Sequence, residues 1–214
     1  IFLALTHNAY SFTIKGLSNS AILIETETSQ GSGVVTQIKK IKYVITAYHV
    51  VEGCNTIKLT CLGDNSTAVK TSIDGWDKLH DIAAYRLPKK MYHIPAIKLS
   101  NKILTYGESV FVLAFPRGRA SFSDGKVIKY EYKTRSSIPS DIVFTAHVDG
   151  GSSGGMIIDK RGRLVGIVTA YKYHKTYRGT VKGNSVGTPA AIIIGLAQKY
   201  ASSNKLLKKE GVFY

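Results

Sequence analysis

Short apolar runs alternate with polar turns along the whole chain, and nearly every run reads as a strand. Ala21 to Glu25 is rich in β-formers and ends in the polar run Thr26 to Gly31. Gly33-Val34-Val35 opens a second strand, and Lys42 to Thr46 forms a third after a basic turn. Thr56 to Leu62 alternates cleanly, with Ile57, Leu59 and Cys61 on one face and Lys58 and Thr60 on the other. Asp81 to Leu87, Ser109 to Phe115, Gly125 to Tyr132, Ile142 to His147, Leu164 to Tyr171 and Ala190 to Ile194 continue the series. Lys172 to Gly183 reads as a basic loop. Two stretches break the pattern. Ala47 to Gly53 resembles one helical turn closed by glycine. Leu196 to Lys209 sets Leu196, Tyr200, Leu206 and Leu207 among lysines and predicts a C-terminal amphipathic helix. Many short strands at regular spacing with one terminal helix predict an all-β sandwich or barrel. The polar middle, Pro88 to Tyr106, divides the chain into two halves.

At 214 residues the chain suffices for one large β domain or two small ones. Its longest apolar run, Ala190 to Leu196, is too short to span a membrane as a helix. The formal net charge of +15 changes the picture more, because it favours anionic partners: acidic substrates, nucleic acid or a membrane surface. A solvated basic surface explains the same charge. Of the two cysteines, Cys61 shares its strand face with Ile57 and Leu59 and reads as a small core residue, not half of a disulfide. The redox compartment stays open.

Chemistry gathers at three places. Asp149-Gly150-Gly151-Ser152-Ser153-Gly154-Gly155 is a dense demand for unusual backbone, since glycine reaches positive φ cheaply. Such a loop exposes a hydroxyl while aiming backbone N–H groups at one point. By itself it is more simply a turn. A serine hydroxyl needs an adjacent base, which in turn needs an orienting acid. His49 follows the strand Tyr43-Val44-Ile45-Thr46 and opens the helical turn, a rigid mount for its ring. Asp81 stands at the mouth of an apolar strand, where a carboxylate is costly unless bonded. Singly these are a helix-start residue and a strand cap. In the order His49, Asp81, Ser153 they match one of the known chain orders of a catalytic triad.

On these segments the chain resembles the trypsin-fold serine proteases, nearest to the HtrA/Deg protease domain. The matching stretches are Gly31-Ser32-Gly33-Val34-Val35, Thr46-Ala47-Tyr48-His49-Val50-Val51, His80-Asp81-Ile82-Ala83, Gly151-Ser152-Ser153-Gly154-Gly155 and Leu164-Val165-Gly166-Ile167-Val168-Thr169. Separations of 32 residues from His49 to Asp81 and 72 from Asp81 to Ser153 suit that family. The resemblance runs from about Ala21 to Tyr200. It implies a single trypsin-like protease domain of two six-stranded antiparallel β-barrels: an N-terminal barrel over about 15–95, a C-terminal barrel over about 107–195 and a helix over about 196–209.

The resemblance also implies roles. Ser153 attacks the scissile carbonyl, His49 moves the proton and Asp81 orients the imidazole. The N–H groups of Gly151 and Ser153 hold the oxyanion, a contribution of about 3–4 kcal/mol per donor in comparable enzymes. Thr169 stands where the fold usually has a serine supporting the aspartate. The primary pocket is expected at His147 and Val148, Thr169-Ala170-Tyr171 and the segment Gly183 to Thr188. With no acid at its floor, and with Val168 where glutamate-specific relatives carry histidine, the expected P1 side chain is small or medium aliphatic. Ser152 replaces the aspartate that pairs with a freed N-terminus in trypsin zymogens, so no activation of that kind through Ile1 is expected. Too few residues follow Tyr200 for a PDZ domain.

No cofactor or metal is called for. The expected partner is a protein or peptide, with acidic segments favoured by the charge. The basic and aromatic stretch Tyr171 to Lys182 also fits nucleic acid, but a cationic rim beside the site is the preferred reading. An oligomer is compatible with the resemblance. Two alternatives to a peptidase of unfolded or flexible segments stay open: a viral-type polyprotein-processing protease and an idle basic barrel that binds anions.

Overall fold

The computed structural model describes residues 12–132, 136–176 and 179–202, with side chains at 173–176, 179–182 and 197–202 excepted. Seven strands form the N-terminal sheet: β1 (Ala21–Glu25), β2 (Gln30–Ile38), β3 (Ile41–Thr46), β4 (Ile57–Cys61), β5 (Thr67–Lys70), β6 (Gly75–Asp77) and β7 (Ile82–Arg86). They lie in the order β5-β4-β1-β2-β3-β7-β6, and the sheet curls without closing through a strand ladder. Six further strands close the C-terminal barrel: β8 (Ser109–Ala114), β9 (Ser121–Glu131), β10 (Asp141–Phe144), β11 (Met156–Asp159), β12 (Leu164–Thr176) and β13 (Gly179–Pro189). Every pairing between these named strands is antiparallel. Among the described residues there are three α-helices, α1 (Ile14–Ser18), α2 (Tyr48–Val51) and α3 (Ala190–Ser202), and two short 3-10 turns at Lys89–Met91 and Pro116–Gly118.

Each half has its own apolar core. Ile22, Leu59 and Ala83 belong to the N-terminal one, Val127, Phe144 and Ile157 to the barrel. A third buried cluster joins the halves, packing Val34, Ile45 and Ile82 against Phe111, Leu113 and Met156. Burying such surface stabilises by roughly 25 cal/mol per Å², so this shared cluster resists separation of the halves and fixes the cleft between them. Cys61 is a free thiol buried in the N-terminal core, as its strand face predicts.

The structure corrects two local expectations. Ala190 to Ile194 is not a strand but the first turns of α3, which begins at Ala190. Ala190, Ile193 and Leu196 are its buried positions, a spacing of three that a strand cannot bury on one side. A short apolar run does not reveal its period, and Pro189 marks the junction. Residues 203–209 of the expected helix lie outside the described residues. Lys172 to Gly183 is not a loop either. Its described residues extend β12 and β13 into a hairpin that pairs Tyr173 with Lys182 and His174 with Val181. Tyrosine, threonine and valine favour strands even where charged neighbours make the segment look like a turn.

Candidate active site

The three singled-out residues come from different elements and meet at one cleft. α2 is a single turn, so its first N–H groups have no partner within the helix. Asp81 supplies them. Its carbonyl accepts from Tyr48 N–H at 3.2 Å and its Oδ1 from His49 N–H at 2.8 Å. Its Oδ2 lies 2.6 Å from His49 Nδ1. To face both groups, Asp81 adopts a left-handed backbone with φ 54°, a region that aspartate tolerates better than most residues. The carbonyl before it, on His80, accepts from Thr188 Oγ1 at 2.6 Å, which ties this corner to the C-terminal barrel. The Asp81 hydrogen bond raises the His49 pKa above its ordinary value against the opposing effect of partial burial, and the nearby Glu52 charge adds to the rise.

Across the cleft, the four carbonyls from Gly150 to Ser153 are all engaged. The Gly150 carbonyl accepts from Arg117 N–H at 2.9 Å, and Gly151 from Ser32 Oγ at 2.8 Å. Those of Ser152 and Ser153 accept from Gly155 N–H and Ser32 N–H, each at 2.8 Å. The amides alternate instead. Ser152 N–H donates to Asp149 O at 2.8 Å and Gly154 N–H to Val168 O at 2.7 Å. Among the described residues, the N–H groups of Gly151 and Ser153 donate to no protein acceptor. Gly151 and Gly154 have φ of 92° and 84°, and a Cβ on Gly154 would collide with the Ser32 carbonyl, so this path requires glycine.

A cleft of about 440 Å³ is lined by His49, Gly151, Ser153, Val148, Thr169 and Tyr171, among others including Ala170. Ser153 is half-buried there. Among the described residues no hydrogen bond joins its hydroxyl to His49. Val148, Thr169, Ala170 and Tyr171, four of the five residues singled out for the pocket, therefore line the cleft, and no residue of the expected segment Gly183 to Thr188 does. The fifth, His147, is exposed and faces an adjacent groove with Arg117, Arg119 and Ser121. Thr169 does not support Asp81: its hydroxyl reaches Val186 O at 3.5 Å. Thr188 is buried behind the cleft on His80 and does not line it. Ser152 is buried and its Oγ accepts from Asp149 N–H at 3.0 Å. Ile1 lies outside the described residues. The structural importance of Ser32 is not readable from the chain, where Gly31-Ser32-Gly33 offers only a small residue in a strand.

A family model described as the trypsin-like peptidase domain matches residues 31–167, most of the chain and all three site segments. The chain belongs to the trypsin-like peptidase domain family. This peptidase domain is 30% identical over 170 residues to a probable periplasmic serine endoprotease, DegP-like, of Buchnera aphidicola, covering 78% of this chain and 34% of that protein. It is 26% identical over 194 residues to the serine protease Do-like HtrA of Lactococcus lactis, covering 84% and 46%. The chain thus spans less than half the length of these relatives. It shares its fold with the serine endoprotease of Yersinia pestis (TM-score 0.73, 18% identity, 90% of this chain and 66% of that one). It also shares it with the Mycobacterium tuberculosis protein Rv3671c in an inactive form (TM-score 0.69, 19% identity, 96% and 99%).

Proposed function

We propose that this peptidase domain is a serine endopeptidase whose nucleophile is Ser153, with His49 as general base and Asp81 as its orienting acid. The observation that carries the reading is the alternation in the Gly150–Gly154 loop. Held carbonyls leave two N–H groups, of Gly151 and Ser153, unpaired beside a half-buried serine hydroxyl. Two such donors meet the needs of a tetrahedral oxyanion, which carries charge that the ground-state carbonyl lacks. His49 takes the Ser153 proton as the C–O bond forms, then returns it to the leaving amine as the C–N bond breaks. Water repeats the sequence on the acyl-enzyme. The Ser153–His49 bond that the free protein lacks forms when substrate closes the cleft, as such contacts commonly do.

The substrate is a protein or peptide segment flexible enough to lie in an open cleft. Val148, Val168 and Ala170 give the cleft an apolar wall suited to a small or medium aliphatic P1 side chain. Asp149, the acid in its lining, is bonded to Gly150 N–H at 2.9 Å and paired with Arg117 at 3.2 Å, which leaves little to attract a basic P1. Arg117 and Arg119 in the neighbouring groove, with the net charge of +15, favour acidic residues elsewhere in the substrate. Cleavage-site profiling on a denatured proteome tests all of this together. Cuts after Val, Ala or similar residues, absent with Ser153→Ala, support it. Cuts mainly after Lys or Arg contradict the pocket assignment, and cuts that survive Ser153→Ala contradict the nucleophile.

A further inference from the structure

Ser32 is a fully buried serine with four hydrogen bonds to other segments, two of them to the Gly151–Ser153 loop. On β2, its Oγ donates to the Gly151 carbonyl at 2.8 Å and accepts from Phe115 N–H at 2.8 Å. Its N–H donates to the Ser153 carbonyl at 2.8 Å, and its own carbonyl accepts from the buried Thr46 hydroxyl at 2.7 Å. Thr46 ends β3, three residues before His49. One residue of the N-terminal half therefore grips the Gly151–Ser153 loop of the C-terminal half at two carbonyls, one on each side of Ser152.

We infer that Ser32 is a positioning residue for catalysis: it pins the peptide plane that lies between the Gly151 and Ser153 amides, and so sets the two donors relative to each other for one oxyanion. This rests on the reading of Ser153 as nucleophile. The physical reason lies in peptide planarity. Carbonyl and N–H of one peptide point in opposite directions, so fixing a carbonyl fixes the N–H of the following residue. The Ser32 hydroxyl fixes the Gly151 carbonyl and hence the Ser152 N–H, which lies 2.8 Å from Asp149 O. That plane lies between the two donors: Arg117 N–H on the Gly150 carbonyl holds the plane of the Gly151 amide, Gly155 N–H on the Ser152 carbonyl holds that of the Ser153 amide, and Ser32 fixes how the two are set against each other. Gly151, at φ 92°, has no side chain to oppose rotation once the hydroxyl is gone. Removing the hydroxyl also strips a donor from Gly151 and an acceptor from Phe115, and buried polar groups without partners drive rearrangement. The loop then satisfies its carbonyl at the expense of the donor geometry.

The test compares wild type with Ser32→Ala and Ser32→Cys, the latter keeping the shape with a much weaker donor. Each is measured for kcat, KM, pH profile and affinity for a peptide aldehyde, whose hemiacetal oxygen occupies the oxyanion position. The expected result in both variants is a fall in kcat of about 10- to 100-fold, in the range that small misplacements of catalytic groups produce. KM stays within about threefold of wild type, and aldehyde affinity falls in step with kcat/KM. The acidic limb of the pH profile does not move, because Ser32 touches neither His49 nor Asp81. A folded variant with wild-type kcat, or a loss confined to KM, overturns the inference. So does failure of both variants to melt cooperatively, which makes the hydroxyl a requirement of the fold. A wild type that hydrolyses no peptide refutes the peptidase reading itself, and is thereby told apart from an active wild type matched by an equally active Ser32→Ala.

Discussion

Two places in this molecule bring a serine, a histidine and an aspartate together, and they are built in opposite senses. At the cleft, His49 Nδ1 meets Asp81 Oδ2 at 2.6 Å. On the far edge of the N-terminal sheet, His93 Nε2 meets Asp64 Oδ2 at the same 2.6 Å, and Ser66 Oγ lies 3.5 Å from that nitrogen. Contact length does not separate the two. Connectivity does. Asp64 takes the Ser66 hydroxyl directly, and its Oδ1 also accepts the Ser66 N–H at 2.9 Å. The serine is thus a donor to the acid, and its amide is spent. Ser66 and His93 hold the Asp64 carboxyl well below the usual carboxylate range, which marks a satisfied turn and not a poised base. At the cleft the acid holds the ring from behind and by its backbone N–H, while Ser153 sits across the gap with an unpaired amide. The two places differ in which groups are left free.

The sharpest way to break that comparison is to remove each ring. His49→Ala is expected to lower kcat by about 10⁶-fold, the scale seen when a triad histidine is deleted. His93→Ala should leave it within about twofold, as surface substitutions away from a site do. Steady-state kinetics on one peptide decide this, and comparable losses in both variants would erase the distinction. Asp81→Asn comes next, with an expected loss of about 10⁴-fold because the amide imposes the wrong imidazole tautomer. Asp64→Asn should match wild type in the same assay.

The pH profile sharpens the contrast further. Because His49 must be neutral to act as base and its pKa is raised in the fold, the acidic limb of kcat/KM should lie above the ordinary histidine value of about 6.5. Replacing Asp81 by Asn should move the limb to lower pH, whereas His93→Ala should not move it. By linkage, the raised His49 pKa adds stability that is complete below about pH 6.5 and is lost as the pH rises through the folded value. The smallest effect belongs to the cationic groove. Arg119→Ala should reduce the preference for acidic over neutral peptides by at most about fivefold, the limit for an exposed ion pair, and added salt should mimic it. Unchanged selectivity would remove Arg119 from substrate recognition.

Much of this was legible before the fold. The β1, β3 and β8 runs read correctly because β-rich apolar residues end in turn signals, and the structure sets His49 and Ser153 at one cleft with Asp81 bonded to the ring. What stayed hidden depends on distance in space. Thr188 lies 108 positions from the His80 carbonyl it binds, and Ser32 119 from that of Gly151; periodicity carries no trace of such pairs. His147 was misplaced for the opposite reason. Position relative to Ser153 put it in the pocket, but its backbone carbonyl accepts from Ser123 Oγ at 2.7 Å and its side chain is exposed. The six-stranded closure held for the C-terminal half, while the N-terminal sheet holds seven strands and stays open, a difference made by the short β5 and β6, which are too brief to show alternation.

Labelling by a fluorophosphonate, which bonds only to an activated serine with a working oxyanion site, decides whether Ser153 is the nucleophile. Wild type is expected to label at Ser153 to about one label per chain, Ser153→Ala not to label, and Ser66→Ala to label like wild type. Label on Ser66, or a wild type that takes none, would contradict that role.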